Sequence, residues 1–207
     1  AGCGGLTLGL ERAGFDLLFA NEVSPMASAT FAHNILNLDI SKPHANIKWI
    51  HSRYGRNHIE KRTREDLLTH GKLEQSEIAF KSDLASINNT LLIGDLRLMN
   101  DALTKSEIKD PYNGELDLIS GGPPCQSFSL AGKREKENYK NRLPLDFAEI
   151  CQLLNPKLVL LENVKGITSA FSEDNNKYYA WFEVAKTFTS KGYVPVCMMV
   201  NSKYFDI

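Results

Sequence analysis

Two periodicities alternate along this chain. Five apolar runs of strand length, "FDLLFANE", "TLLIGD", "LDLISGG", "KLVLLENV" and "YVPVCMMV", are interleaved with segments whose apolar residues recur at helical spacing. "LTLGLERAG" predicts a helix stopped at Gly14. "SPMASATFAHNIL" predicts a second, with Ser24 as N-cap and Pro25 at the first helical position. "RLPLDFAEICQLL" predicts a third, and "YYAWFEVAKTFTSKG" a fourth that ends at Gly192. Such alternation implies a mostly parallel sheet with helices on both faces, an α/β architecture.

Residues 41–90 break the rhythm. "KWIHSRYGRNHIEKRTRE" is rich in Lys, Arg and His and carries no strand-length run. The stretch reads as an insertion between the second and third strands. It is either a nucleic-acid contact surface or a solvated excursion, the latter favoured by acids such as Glu74 and Glu77 that follow.

At 207 residues the chain is one domain, or one domain with an insertion, and its composition supports a real core. The formal net charge of −1 gives no global basic field toward nucleic acid or membrane. No apolar run approaches a membrane span. Cysteines at 3, 125, 151 and 197 have neither metal-ligand nor dense disulfide spacing, which suits a reducing, intracellular compartment. The opening "AGCGG" and the closing "YFDI" read as cuts through structure at both ends.

Three polar clusters fall where strands should end. Gly2, Gly4 and Gly5 precede the first helix, where glycine allows positive φ and close approach of a ligand to the backbone. Glu22 follows Gly2 by twenty residues, the distance at which an acid reaches ribose hydroxyls of a nucleotide-like group. Asp95 ends the run "LLIGD" and belongs to the same rim if the sheet is parallel. The dinucleotide fingerprint is incomplete, because Thr7 stands where its third glycine would be. The three features favour a cofactor with an adenosine part, while a dinucleotide-dependent oxidoreductase stays open on these residues alone.

The second cluster is "GGPPCQSFSLAGKR". Gly121 and Gly122 permit an unusual backbone path, and Pro123 and Pro124 stiffen the approach to Cys125 by fixing φ. A loop so constrained can hold a nucleophile. Ser127, Ser129, Gly132, Lys133 and Arg134 after it suit contact with phosphates. Cys151 and Cys197 lie in a helix-like and a strand-like run and read as small buried hydrophobes. The third cluster, Glu162 and Asn163, ends "LVLLENV". An acid there is either a surface charge or a general acid or donor to a substrate ring beside Cys125.

Taken in order, "AGCGG", "NE" at 21–22, "GD" at 94–95, "GGPPCQSFSLAGKR", "NRLPLDF" and "LLENVKGI" resemble the DNA (cytosine-5)-methyltransferases. The resemblance covers nearly all of the chain outside 41–90. It implies a Rossmann-like S-adenosylmethionine-dependent methyltransferase fold and methyl transfer to carbon 5 of cytosine in double-stranded DNA. Cys125 would be the nucleophile, and Glu162 would hydrogen-bond the ring, with Pro124 and Asn163 positioning both. Gly2, Cys3, Gly4, Gly5 and Leu6 would line the methionine end of the cofactor. Glu22 would take the ribose, with Val23 beside the adenine. Asp95 would take the adenine amine, with Leu96 and Leu143 packed nearby. Gln126, Ser129, Lys133, Arg134 and Lys140 would contact DNA, and the loop after Cys125 would close over a flipped base.

The departures are Lys140, where arginine is usual and the bidentate fork is lost, and the absence of the family's glutamine-arginine motif and target-recognition region. The expected setting is a monomeric enzyme of the bacterial cytoplasm, with the nucleoid when on DNA, and paired with a restriction enzyme. Two other readings stand beside it. One is a relative acting on tRNA. The other is a fragment or subunit inactive without a partner chain.

Overall fold

The computed structural model describes residues 1–49, 87–105, 112–123, 143–169, 171–173 and 176–205. Helix α1 (Gly5–Arg12) leads into β1 (Phe19–Glu22) and α2 (Pro25–Phe31), which runs on as a π-helical turn over Ala32–Leu36. Strands β2 (Ile47–Trp49) and β3 (Thr90–Ile93) follow, then α3 (Leu96–Lys105) and β4 (Leu118–Gly121). Helix α4 (Leu143–Leu154), strand β5 (Leu158–Leu161), the short strands β6 (Phe171–Glu173) and β7 (Asn176–Tyr178) and helix α5 (Ala180–Ser190) complete the elements used below.

The strands form a parallel three-stranded sheet in the order β1-β3-β2, a parallel pair β4-β5, and an antiparallel β6-β7 hairpin. Strand β3 is central, and all four of its residues are buried. Its alternation explains how helices come to lie on both faces. Leu91 and Ile93 pack with Ala20, Ile47, Phe31 of α2 and Ala32 of the turn that follows it. Leu92 points the other way, to Met99 and Leu103 of α3 and Ile150 and Leu154 of α4. Each such fully buried aliphatic side chain contributes about 2–3 kcal/mol relative to exposure. On β4-β5, Ile119, Val159 and Leu161 meet Phe147, Cys151 and Phe188 of α4 and α5. Leu96 touches this cluster and that of Leu92, which joins the two parallel ladders through one core.

The local signals act as expected at several termini. Ser24 accepts from the Ala27 N–H with Pro25 behind it, and Gly14 and Gly192 take φ of 94° and 91° just past α1 and α5. Buried Asn100 on α3 donates to the Asp146 carbonyl at 2.9 Å and to Glu149 Oε2 at 3.2 Å, tying α3 to α4. No helix of the described residues is long and apolar enough to cross a membrane.

Three expectations are corrected. Residues 41–90 are not strand-free: β2 pairs in parallel with β3, Ile47 opposite Leu91. A three-residue strand needs only one apolar side chain on its buried face, too little for periodicity to register. The remainder of that stretch, 50–86, lies outside the described residues. "YVPVCMMV" forms no strand, and Val194 is 89% exposed. A strand exists only as one partner of a ladder; this run has no ladder partner among the described residues, and Pro195 removes a donor. Gly121 and Gly122 also do not follow an unusual path, since neither has positive φ. What they provide is room, as described next.

Candidate active site

Every chemistry-bearing position that the structure describes past a strand follows the carboxyl end of a parallel one, where open α/β sheets bind ligands. On the first ladder these are Glu22, the last residue of β1, and Asp95, two residues beyond β3. The Gly94 N–H donates to the Glu22 carbonyl at 2.8 Å, so the two acids occupy neighbouring strand ends. Asn21 reinforces this rim: its Nδ2 donates to the carbonyls of Leu92 and Gly94, each at 3.1 Å.

Glu22 draws the glycine turn back onto the strand end. Its Oε2 accepts from the Gly2 N–H at 2.6 Å and from the Ala1 ammonium at 3.2 Å. Its Oε1 accepts from the N–H groups of Val23 and Ser24, at 3.0 and 2.9 Å. Burial pushes this carboxyl up, but the ammonium and the Ser24 and Gly2 N–H groups outweigh it. The net result lies below the ordinary carboxylate value, so Glu22 is an anion at neutral pH. Gly2 and Gly4 have φ of 60° and 95°, as a glycine turn requires. A Cβ at Gly4 would stand 2.7 Å from Ile35 Cγ1, whereas Gly2 and Gly5 face open space. Gly4 therefore seats the turn on the core, and Gly2 and Gly5 leave backbone open to a ligand. Cys3 and Val23 are exposed beside it, and Leu6 on α1 is half-buried.

Asp95 caps α3. Its Oδ1 accepts from the Arg97 backbone N–H and from Arg97 Nε, both at 3.0 Å, and its Oδ2 pairs with Arg97 Nη2. Arg97 was not foreseen; the signal was an Asp two residues before an Arg at a helix start. Leu96, expected beside an adenine ring, spends part of its surface on the core. Leu143 opens α4 and is half-buried.

On the second ladder, the Glu162 N–H donates to the Gly121 carbonyl at 2.9 Å, extending the β4-β5 pairing past both strands. Glu162 is thereby laid beside Gly122. A Cβ at Gly122 would lie only 2.8 Å from Glu162 Oε2, and one at Gly121 only 2.6 Å from Phe147 Cε2. The two glycines admit a carboxylate on one side and the α4 aromatic on the other. Asn163 Nδ2 donates to the Pro123 carbonyl at 3.3 Å, while its Oδ1 accepts from the Val164 N–H at 2.9 Å. Glu162 is exposed, which answers the question of what burying an acid there would cost. Glu162 and Asn163 thus stand against Gly122 and Pro123, which precede Cys125 in sequence. Pro124, Cys125, Gln126, Ser129, Lys133, Arg134 and Lys140 lie outside the described residues. Cys151 is buried against Phe147 and Phe188, as a small hydrophobe should be. Cys197, by contrast, is exposed.

The residues at the first rim fit an adenosine-containing group. An ionised acid at a strand end, a second acid on the neighbouring strand and open glycine backbone before a helix form the donor and acceptor set it needs.

Comparison with known proteins bears on the same residues. The model of the C-5 cytosine-specific DNA methylase family matches residues 1–72 and 84–207. The type II methyltransferase M.DdeI of Desulfomicrobium norvegicum is 28% identical over 200 residues, covering 97% of this chain and 34% of that protein. M.NgoPII of Neisseria gonorrhoeae is 28% identical over 208 residues, covering 100% of this chain and 42% of its own length. The orphan methyltransferase M.SPRI of Bacillus phage SPR is 35% identical over 94 residues, 45% of this chain and 20% of that protein. The chain therefore spans about a third to two-fifths of the length of the first two relatives. The matches are to DNA enzymes and lend the tRNA reading no support. With the family match running over almost the whole sequence and the glycine turn, the rim acids and the Glu-Asn pair in place, the chain belongs to the C-5 cytosine-specific DNA methylase family.

Proposed function

We propose that this chain is the catalytic portion of an enzyme that methylates carbon 5 of cytosine in double-stranded DNA. The observation that carries the reading is the second ladder: Glu162 against Gly122 and Asn163 bonded to Pro123, at the root of the loop that bears Cys125.

Carbon 5 of cytosine is a poor nucleophile. The Cys125 thiolate adds to carbon 6, forming the sulfur–carbon bond and pushing the ring electrons toward carbon 5. Glu162 hydrogen-bonds the ring nitrogen and exocyclic amine, favouring the form that accepts attack. Asn163 holds the Pro123 carbonyl, two residues before the nucleophile, and so fixes the loop relative to Glu162. S-adenosylmethionine, when bound, supplies the methyl group that carbon 5 takes. A base then removes the carbon-5 proton, the ring regains its double bond and the thiolate leaves. Glu22, Asp95 and the Gly2–Gly5 turn hold the cofactor's adenosine and methionine ends. Glu22 accepts a ribose hydroxyl while the N–H groups of Gly2, Val23 and Ser24 hold its carboxylate. The reacting atoms are out of reach in a stacked duplex, so the base leaves the helix at a cost of a few kcal/mol. Gln126, Ser129, Lys133, Arg134 and Lys140 serve as DNA contacts.

The test is covalent trapping. Duplex DNA carrying 5-fluorocytosine in varied sequence contexts is incubated with the chain and S-adenosylmethionine, and Cys125 is examined by mass spectrometry. Fluorine blocks the final elimination, so an adduct is expected, and Cys125→Ser should abolish it. A second reading is favoured by the share of the relatives that the chain spans: the constellation works only with further polypeptide, in cis or as a partner chain. In that case the adduct forms only after mixing with a polypeptide carrying the remainder of the family domain. An adduct absent under both conditions would sink the assignment of Cys125.

A further inference from the structure

We propose that Arg97 is a positioning residue of the adenosine end of this site, one that holds the Asp95 carboxylate in a single orientation toward the adenine amine. The inference rests on the functional reading above and adds to it a residue that acts through Asp95.

An N-cap needs one bond, from a carboxylate oxygen to a backbone N–H in the first turn. Asp95 has that bond, to Arg97 N at 3.0 Å. It also has two that a cap does not need, from Arg97 Nε to Oδ1 and from Nη2 to Oδ2. One planar guanidinium thus grips both oxygens of one planar carboxylate, which fixes the carboxylate's rotation as well as its position. The pair is partly desolvated, with Arg97 30% and Asp95 13% exposed in their side chains. It is therefore not the loose surface pair whose geometry fluctuates freely. The location gives the grip a purpose. Asp95 and Glu22 are two acids at neighbouring parallel strand ends, and Arg97 sets its guanidinium against Asp95. An amine N–H is directional, and an acceptor free to turn would forfeit part of the bond on ordering.

Calorimetric binding tests this with two probes, S-adenosylhomocysteine and its 6-deamino analogue, whose purine lacks the amine. Arg97→Leu should weaken S-adenosylhomocysteine about tenfold, and Arg97→Lys should recover part of that. Neither substitution should change the affinity of the deamino analogue. Equal affinity of wild type and Arg97→Leu for S-adenosylhomocysteine overturns the inference. So does a tenfold penalty that persists with the deamino analogue, because a merely structural role would weaken both ligands alike. That comparison holds even if Arg97→Leu lowers the melting temperature. Failure of the underlying reading looks different: wild type binds neither probe, or Asp95→Asn and Glu22→Gln leave binding unchanged. Either result removes the cofactor site, and the role of Arg97 with it.

Discussion

Gly121 and Gly122 are neighbours in sequence, yet alanine at each should fail in a different way. Neither has positive φ, so the alanine backbone is unstrained at both, and reduced freedom of the unfolded chain favours the variant by about 0.4–1 kcal/mol. At Gly121 the added Cβ stands 2.6 Å from Cε2 and 3.0 Å from Cζ of Phe147. Phe147 is buried and edge-on to Phe188, with ring centroids 6.4 Å apart, so it cannot retreat without moving α4 or α5. Overpacking of this kind costs about 1–3 kcal/mol, which exceeds the backbone gain. At Gly122 the Cβ stands 2.8 Å from Glu162 Oε2, the tip of an exposed side chain that can swing away. Folding should then be unchanged or slightly improved. The carboxylate, however, must withdraw by about half an ångström, and if a misplacement of about 1 Å costs about 100-fold, this one costs about tenfold. Urea unfolding separates the first effect, and the rate of adduct formation on 5-fluorocytosine DNA the second. Gly121→Ala should lose stability; Gly122→Ala should keep it and lose adduct rate. A Gly122→Ala variant that forms adduct at the wild-type rate would refute the placement of Glu162 in the chemistry.

Further outcomes follow from the charges and exposures. Glu22 has a folded value below its ordinary one, so its contribution to stability is present above about pH 4.5 and is lost as pH falls through the lower folded value. Glu22→Gln should therefore flatten the acid limb of a stability–pH profile and leave the alkaline limb alone; an unchanged acid limb would remove the linkage. Burial pushes the Cys151 thiol up to about 12, so in the folded chain at pH 8 iodoacetamide should label Cys3 and Cys197 and spare Cys151. Labelling of Cys151 at a comparable rate, read by peptide mass spectrometry, would contradict that burial. Val194 and Val196 are exposed, so threonine at both should shift unfolding free energy by no more than about 0.5 kcal/mol. A larger loss would mean that this run is packed in solution.

How far the fold could be read depended on what kind of signal each element carries. Helices α1, α2, α4 and α5 announce themselves locally, through apolar spacing, a Ser-Pro start or a glycine stop, and they lie where those signals put them. Strands β3, β4 and β5 carry four apolar or small residues apiece, and β1 continues the apolar run "FDLLFA", enough for each to stand out. Helix α3 went unread although Leu96, Met99 and Leu103 of "LRLMNDALTK" stand at helical spacing, and its Met99 and Asn100 meet α4. Strand β2 and the β6-β7 hairpin are three residues per strand, and a strand that short is defined by its neighbour. The same fact explains the error at "YVPVCMMV". Its composition suits a ladder, but composition cannot supply the other rail.

The site divides along a different line. Which side chains are candidates for chemistry was legible, because acids and asparagine punctuate the ends of apolar runs at the carboxyl ends of strands. What holds them was not, because it is a matter of distances between segments far apart in sequence. Glu22, read as the acceptor of ribose hydroxyls, also accepts from the N–H groups of Gly2, Val23 and Ser24. Asp95, read as the acceptor of the adenine amine, is also gripped at both oxygens by Arg97. Gly121 and Gly122 were taken for backbone freedom, and each is a gap for a side chain from another element. The first two cases share a cause. An anion at a strand end costs stability unless donors surround it, so the folded chain supplies them, backbone N–H groups for Glu22 and a guanidinium for Asp95. Acceptors held in this way keep one orientation, which is why a residue two positions from the acid belongs to the site we propose.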